Sequence, residues 1–364
     1  MKNISLYSFL MVLSLLTASN AFAYDLEVDG IYYNLDMDNY TASVTSGDNK
    51  YIGDVVIPPK FSYNYKVEFD VVEIEKQAFS SCSELTSVSI GEGVTAIGSS
   101  AFYNCKKLVS VSIPSTVKTI GSSAFYGCQE LVKADLPEGI EKIEHSTFCN
   151  CYKLAEIKIP SIVKTIGDQA FLGCKSVTKL FIPKAVEYLG TDAFGGLTLE
   201  ELVVEDGAKE IKVYYWPFHS TSTQTLYMGR PLPLDSNFKN DETKTLILGP
   251  NLNKWYNTYT GTGVTKVISN ITDPSQLAPV FDAITYLDAK LIVPKGTLAL
   301  YGADANWKKF LDIEEQKTTA IEAVNTSEDS NGRQMFNLGG MRVSDNSKGI
   351  TIIRENGKVK KIIR

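Results

Sequence analysis

The chain has 364 residues, 44% hydrophobic and 21% charged, with a net charge of −6 and only two histidines. That balance is globular rather than disordered. The negative charge gives no footprint for nucleic acid, and two histidines leave little material for acid–base or metal chemistry.

Residues 1–23 carry one charge, Lys2, ahead of an apolar run from Ile4 to Leu16 and the small residues of Ala21-Phe22-Ala23. The run is too short to span a bilayer and has the layout of a secretory signal peptide cut before Tyr24. The expectation is an exported protein without membrane insertion, at the cell surface or in the medium, with the periplasm as the other destination. Residues 24–77 are then an N-terminal cap and first coil.

From there the chain repeats. Cys82, Cys105, Cys128, Cys151 and Cys174 are each 23 residues apart, and so are units opening at Ala78, Ala101, Ala124, Thr147, Ala170 and Ala193, each followed by Phe. Self-similarity at a fixed short period is the mark of a stacked solenoid. Within a unit, Val109, Val111 and Ile113 alternate with Ser110 and Ser112, as in a half-buried strand. Pro114 ends that strand, and Val117 to Ile120 forms a second extended piece. Gly121 is expected at positive φ. Ser122 would cap one helical turn, with Ser99, Asp168 and Thr191 as equivalents and His145 as the exception. A single unit buries too little to fold alone, so the strands must pair with those of neighbouring coils.

The unit C-x2-L-x2-V-x-I-P-x2-V-x2-I-G-x2-A-F resembles the leucine-rich repeat of BspA-like bacterial surface proteins. EVDGIYYNLD with DVVIPPKF resembles the first coil of that family, and AKLIVPKGTLALYGADANWKKF its closing coil. The resemblance implies an α/β, mostly β, leucine-rich-repeat solenoid: a parallel concave sheet, with short extended pieces and single helical turns on the other side. It also implies an adhesin role. Regular repeats span 78–207. Degenerate repeats and the closing coil span 208–318, with strand-like pieces at Leu226 to Met228, Lys244 to Leu248, Val264 to Ile268 and Lys290 to Val293.

Residues 319–332 are polar and aperiodic, as a linker is. Residues 333–364 hold eight Lys or Arg against Asp345 and Glu355. They form a small basic β tail with strands Met335 to Leu338, Met341 to Val343 and Ile350 to Ile353, and a hairpin signal at Asn356-Gly357. This string resembles, in shortened form, the C-terminal sorting domains of the type IX secretion system. A tail that caps the solenoid and a relic are the alternatives.

No enzyme, metal or cofactor is expected. The sequence contains no G-x-S-x-G, no H-E-x-x-H and no phosphate-cradling glycine loop. His145, Cys149 and Cys151 are the one local cluster of metal-ligating types. Cys151 belongs to the inward row, however, while Cys149 aligns with Tyr103 and Tyr126 at an expected outward position, so the three do not converge. The periodic cysteines read as buried free thiols, because parallel Cβ directions make bridging awkward.

Binding is expected on the sheet face, where repeat arrays hold their partners. One outward row runs Ser87, Ser110, Lys133, Glu156, Lys179 and Glu201. The next runs Ser89, Ser112, Asp135, Lys158, Phe181 and Val203, provided one residue is deleted before Leu199. As scaffold, these rows are self-neutralising ladders of opposite charge on adjacent strands. As a ligand face they gain from Phe181 and Val203, which water does not favour. A second candidate is aromatic: Tyr214, Tyr215 and Trp216, with Trp255, Tyr256 and Tyr259. Such groups fill irregular coils, stack on sugars or anchor a protein. The leading expectation is therefore an adhesin-like protein recognising host or neighbouring-cell protein. The alternatives are a glycan-binding module and a structural envelope protein.

Overall fold

The computed structural model describes residues 24–207, 209–234, 238–256 and 262–317, and the backbone of 334–337, 350–355 and 358–363. The leader, the linker, Tyr259, the strand expected at Met341 to Val343 and the Asn356-Gly357 turn lie outside the described residues. The chain divides into two compact units, one ending at Glu314 and one beginning at Glu315.

The first unit is a mostly-β solenoid with two parallel ladders. The long ladder begins with Gly53–Ile57, Leu85–Ile90, Ser110–Ser112 and Lys133–Ala134. A single bridge from Ile157 to Leu180 then leads into Lys179–Ile182, Thr198–Val204, Ser222–Met228, Thr245–Leu248, Lys266–Ser269, Lys290–Val293 and Asp312–Glu315. Every strand-like piece expected in the degenerate repeats is therefore a member of this sheet. Glu201 lies opposite Lys179 and Val203 opposite Phe181, which is the register a one-residue deletion requires.

The second ladder joins the short extended pieces. Ala96–Ile97 pairs Thr119–Ile120, and separately Lys142–Ile143, Thr165–Ile166, Tyr188–Leu189 and Lys212–Val213 pair in series. The ladder divides between Ile120 and Lys142. The residue that follows each short strand changes at the division. Gly121 approaches the preceding coil so closely that a Cβ there would lie 2.5 Å from Ser99 N, and one on Gly190 would lie 2.4 Å from Asp168 N. At the division this position holds Glu144, which pairs with Lys142 of its own coil at 2.8 Å.

Two expectations about the turn are corrected. Gly121 is not at positive φ; it serves close approach, and the left-handed residues lie two positions on, at Ser100, Ser123, Ser146, Gln169 and Asp192. The single helical turn is replaced by tight turns in the regular repeats, and short helices occur only later among the described residues, as at Ala283–Asp288 and Leu298–Ala303. Ala101 N donates to Gly98 O and Tyr103 N to Ser100 O, while Ser100, Phe102 and Asn104 donate to Ser122, Ala124 and Tyr126 of the next coil. Tight turns that alternate with inter-coil bonds satisfy the amides, and a left-handed residue in each run stops an α-helix from forming. Asp168 accordingly accepts from Thr191 N of the next coil (2.8 Å) rather than capping its own turn.

Phenylalanine and cysteine fill the space between ladder and turn. Phe79, Phe102, Phe125, Phe148, Phe171, Phe194 and Phe218 stack in one column, with centroids 4.9–5.5 Å apart. All six cysteines are buried and free. The thiols of Cys105, Cys128, Cys151 and Cys174 each donate to a phenylalanine carbonyl of the coil before, at 3.0–3.2 Å. Where the period decays, the Thr221 hydroxyl makes the same bond to Phe194 O. Two residues depart from the sequence pattern. Val109 is 45% exposed, Leu108 pointing inward in its place, and Cys149 is buried although it sits where Tyr103 and Tyr126 are half-buried.

An antiparallel cap opens the unit, with Leu26–Val28, Ile31–Asp36 and Thr41–Thr45 in series. At the other end fully buried Trp307 donates its indole N–H to the carbonyls of Pro274 and Leu277. The second unit is an antiparallel sheet of Gln334–Asn337, Ile350–Glu355 and Lys358–Ile363, with Glu355 opposite Lys358.

Candidate binding face and aromatic turn

Successive residues of a strand point to opposite faces. In the long sheet Leu180, Leu202, Leu226, Leu246, Val267 and Leu291 enter the core, so their neighbours point away from it. The register aligns Phe181, Val203, Tyr227, Ile247, Ile268 and Ile292 in one outward row across six adjacent strands. Phe181, Ile247, Ile268 and Ile292 are half-buried, while Val203 and Tyr227 are 2% and 5% exposed without belonging to the core cluster. Side chains about 4.8 Å apart along a row shield one another. The Tyr227 hydroxyl donates to the Asp206 carboxylate (2.9 Å), and burial raises the pKa of both groups. The row beside it runs Lys179, Glu201, Thr225, Thr245, Lys266 and Lys290, and Lys290 meets Glu314 at 3.0 Å.

The sequence-predicted residues fall into three places. Lys179, Phe181, Glu201 and Val203 are brought together at the start of the apolar row. Lys133, Asp135, Glu156 and Lys158 are exposed on the polar half of the same face. There Lys133 binds Asp135, two residues along its own chain, at 2.8 Å, with Glu156 of the next coil also acting on it. Inter-coil ion pairs occur elsewhere, as between Lys107 and Glu84, Lys153 and Glu130, and Lys164 and Glu141. The third place is aromatic, and it splits. Trp255 packs on Phe281 at 5.2 Å and so fills a coil, while Tyr256 bonds Glu210 beneath Lys254 at the surface. Tyr214, Tyr215 and Trp216 are 64%, 57% and 48% exposed on the turn after Lys212–Val213.

Sequence reasoning missed Tyr227, Ile247, Ile268 and Ile292. Their spacing wanders from 20 to 24 residues, so period alone could not phase them. The alternation within TLYM, TLIL, KVIS and KLIV was the available signal. Among the described residues no group of three His, Cys, Asp or Glu is arranged to hold a metal. No described helix is long and apolar enough to cross a membrane.

Comparison with known proteins agrees with this architecture. The family model described as a BspA type leucine rich repeat region matches residues 63–145 and 95–225, with six copies. No curated protein sequence matches the chain. Among solved structures, a leucine-rich repeat protein of T. pallidum is 28% identical over 49% of this chain and 84% of its own, with a TM-score of 0.43. A leucine rich cell surface protein of Faecalibacterium prausnitzii is 18% identical over 84% and 97%, with a TM-score of 0.48. A leucine-rich repeat protein of Bacteroides ovatus is 22% identical over 76% and 81%, with a TM-score of 0.34. Residues 63–225 thus match the leucine rich repeat region of the BspA type and lie within a longer parallel-sheet solenoid.

Proposed function

We propose that this chain is an exported binding protein, adhesin-like, that holds a host or neighbouring-cell protein on the outward face of its long sheet. One observation carries the proposal: an apolar row six strands long lies on the face opposite the core. A sheet face open to water gains nothing from such a row, whereas a protein interface needs an apolar centre with a polar rim. Lys179, Glu201, Lys266 and Lys290 supply that rim. The signal-like leader supports export, and repeat-built sheets serve as extended binding surfaces.

The test is surface plasmon resonance of the chain from Tyr24 against a panel of purified host matrix proteins and neighbouring-cell envelope proteins. Binding is expected, with Ile247→Asp and Ile268→Asp weakening it at least tenfold while Ser112→Asp, on the polar half, leaves it unchanged. Failure to bind any member of the panel, or equal binding by all three variants, refutes the proposal.

A further inference from the structure

The turn that follows each short strand obeys one rule until the last coil of the short ladder. Its first three residues are Gly98-Ser99-Ser100, Gly121-Ser122-Ser123, Glu144-His145-Ser146, Gly167-Asp168-Gln169 and Gly190-Thr191-Asp192. All are small or polar, and the first is glycine wherever the ladder is tight. In the coil of Lys212–Val213 the same three positions hold Tyr214, Tyr215 and Trp216.

The backbone registers the change. Gly98, Gly121, Gly167 and Gly190 donate to the preceding coil at 2.7–2.8 Å, while Tyr214 N reaches Leu189 O at 3.3 Å. The third-position amides of Ser100, Ser123, Ser146 and Gln169 donate to the second-position carbonyl of the next coil at 2.7–2.9 Å, whereas Asp192 N passes over Tyr215 and reaches the third-position carbonyl of Trp216 at 3.3 Å. Trp216 is held at φ 39°, a left-handed conformation disfavoured for a bulky residue. The substitutions therefore go with one longer ladder bond, another shifted by a residue, and a tryptophan at a left-handed position that the other coils give to Ser, Gln or Asp, and three rings remain open to water. Rings left open to water at that cost point to something outside the chain.

We infer that Tyr214, Tyr215 and Trp216 form a stacking platform for a neutral sugar, independent of the sheet face. The rings stand at 73° and 61° to one another, with centroids 4.6 and 6.3 Å apart, so they present angled facets rather than one flat patch. A pyranose offers an apolar C–H face that lies on such a facet and hydroxyls that seek donors and acceptors at its rim. His219, its ring 6.0 Å from that of Trp216 and its Nδ1 3.2 Å from Asp192 Oδ1, stands at that rim with Thr191. Three half-open aromatic residues offer roughly 300 Å², well under the ~800 Å² that a protein partner covers. Nearby charges are mixed, Lys209 facing Glu187 and His219 facing Asp192, which fits an uncharged ligand.

The experiment titrates the full chain with gluco-, manno-, galacto- and N-acetylglucosamine tetrasaccharides and follows tryptophan emission. Trp216 is the most exposed of the three tryptophans, so stacking shifts emission to the blue. At least one tetramer is expected to bind, with Tyr215→Ala and Trp216→Ala weakening it tenfold or more. Tyr214→Gly, which restores the rule of the other coils, is expected to weaken binding about fivefold without lowering the melting temperature. That separates a ligand role from a structural one. No binding at millimolar concentration, unchanged binding by the variants, preference for acidic tetrasaccharides, or the same aromatic-dependent shift with tetramethylammonium each overturns the inference.

Discussion

Gly98, Gly121, Gly167 and Gly190 show how one atom sets the pitch of a stack. Each lets its backbone press against the coil before it, and the division of the second ladder falls where Glu144 stands in that place. Gly121→Ala would put a Cβ 2.5 Å from Ser99 N and 2.7 Å from Ser99 Cα, backbone atoms that cannot swing aside. The substitution is expected to destabilise the chain by about 2 kcal/mol, read as a lower urea midpoint. Ser123→Ala, at a position where left-handed backbone is already held, is expected to cost less than half as much. Equal effects of the two would show that close approach does not matter.

Among elements, the phenylalanine column and the thiol row hold successive coils in register. The carbonyls of Phe79, Phe102, Phe125 and Phe148 each accept the cysteine amide of their own turn, and the thiol of the next coil supplies a second donor that ties the two coils together. Burial pushes the Cys149 thiol up to about 11 and Cys105 to about 12, and Cys128, Cys151 and Cys174 are raised as well. A thiol whose folded value is raised favours folding fully below its ordinary value of 9.0, and that stability is lost as pH climbs toward the folded value. Buried Tyr33 and Tyr51 are raised too and act with the same sign. The urea midpoint is therefore expected to fall between pH 8 and pH 10.5. A thiol reagent at pH 8 should leave the native chain unmodified and react with six cysteines once it is unfolded. Rapid modification of the native chain would contradict the burial.

For the molecule as a whole, stability is shared between neighbours, because each coil pairs and covers only those beside it. Removing residues 124–146 excises one full period and lets Phe148 take the place of Phe125 on Phe102. Such a deletion is expected to leave a cooperative melt lowered by several degrees. Removing residues 124–134, half a coil, would join a turn to a strand and yield insoluble protein. The comparison needs only circular dichroism and a solubility assay. If both deletions behave alike, the coils are not interchangeable units.

Sequence alone determined the stack. Six phased Ala-Phe or Thr-Phe pairs and five phased cysteines gave the period, and a period this short leaves pairing with neighbours as the way to satisfy strand and core together. The deletion before Leu199 was legible because strand alternation resumes in phase after it. Tertiary structure decided what the decayed repeats did with their side chains. Once spacing wanders, only hydrogen-bond register says which residue of TLYM or TLIL lies beside Phe181, and so the apolar row appears only in three dimensions. It likewise decided that Trp255 fills a coil while Trp216 faces water. Both are aromatic residues in irregular segments, and burial depends on what the next coil places over them, which local sequence does not encode.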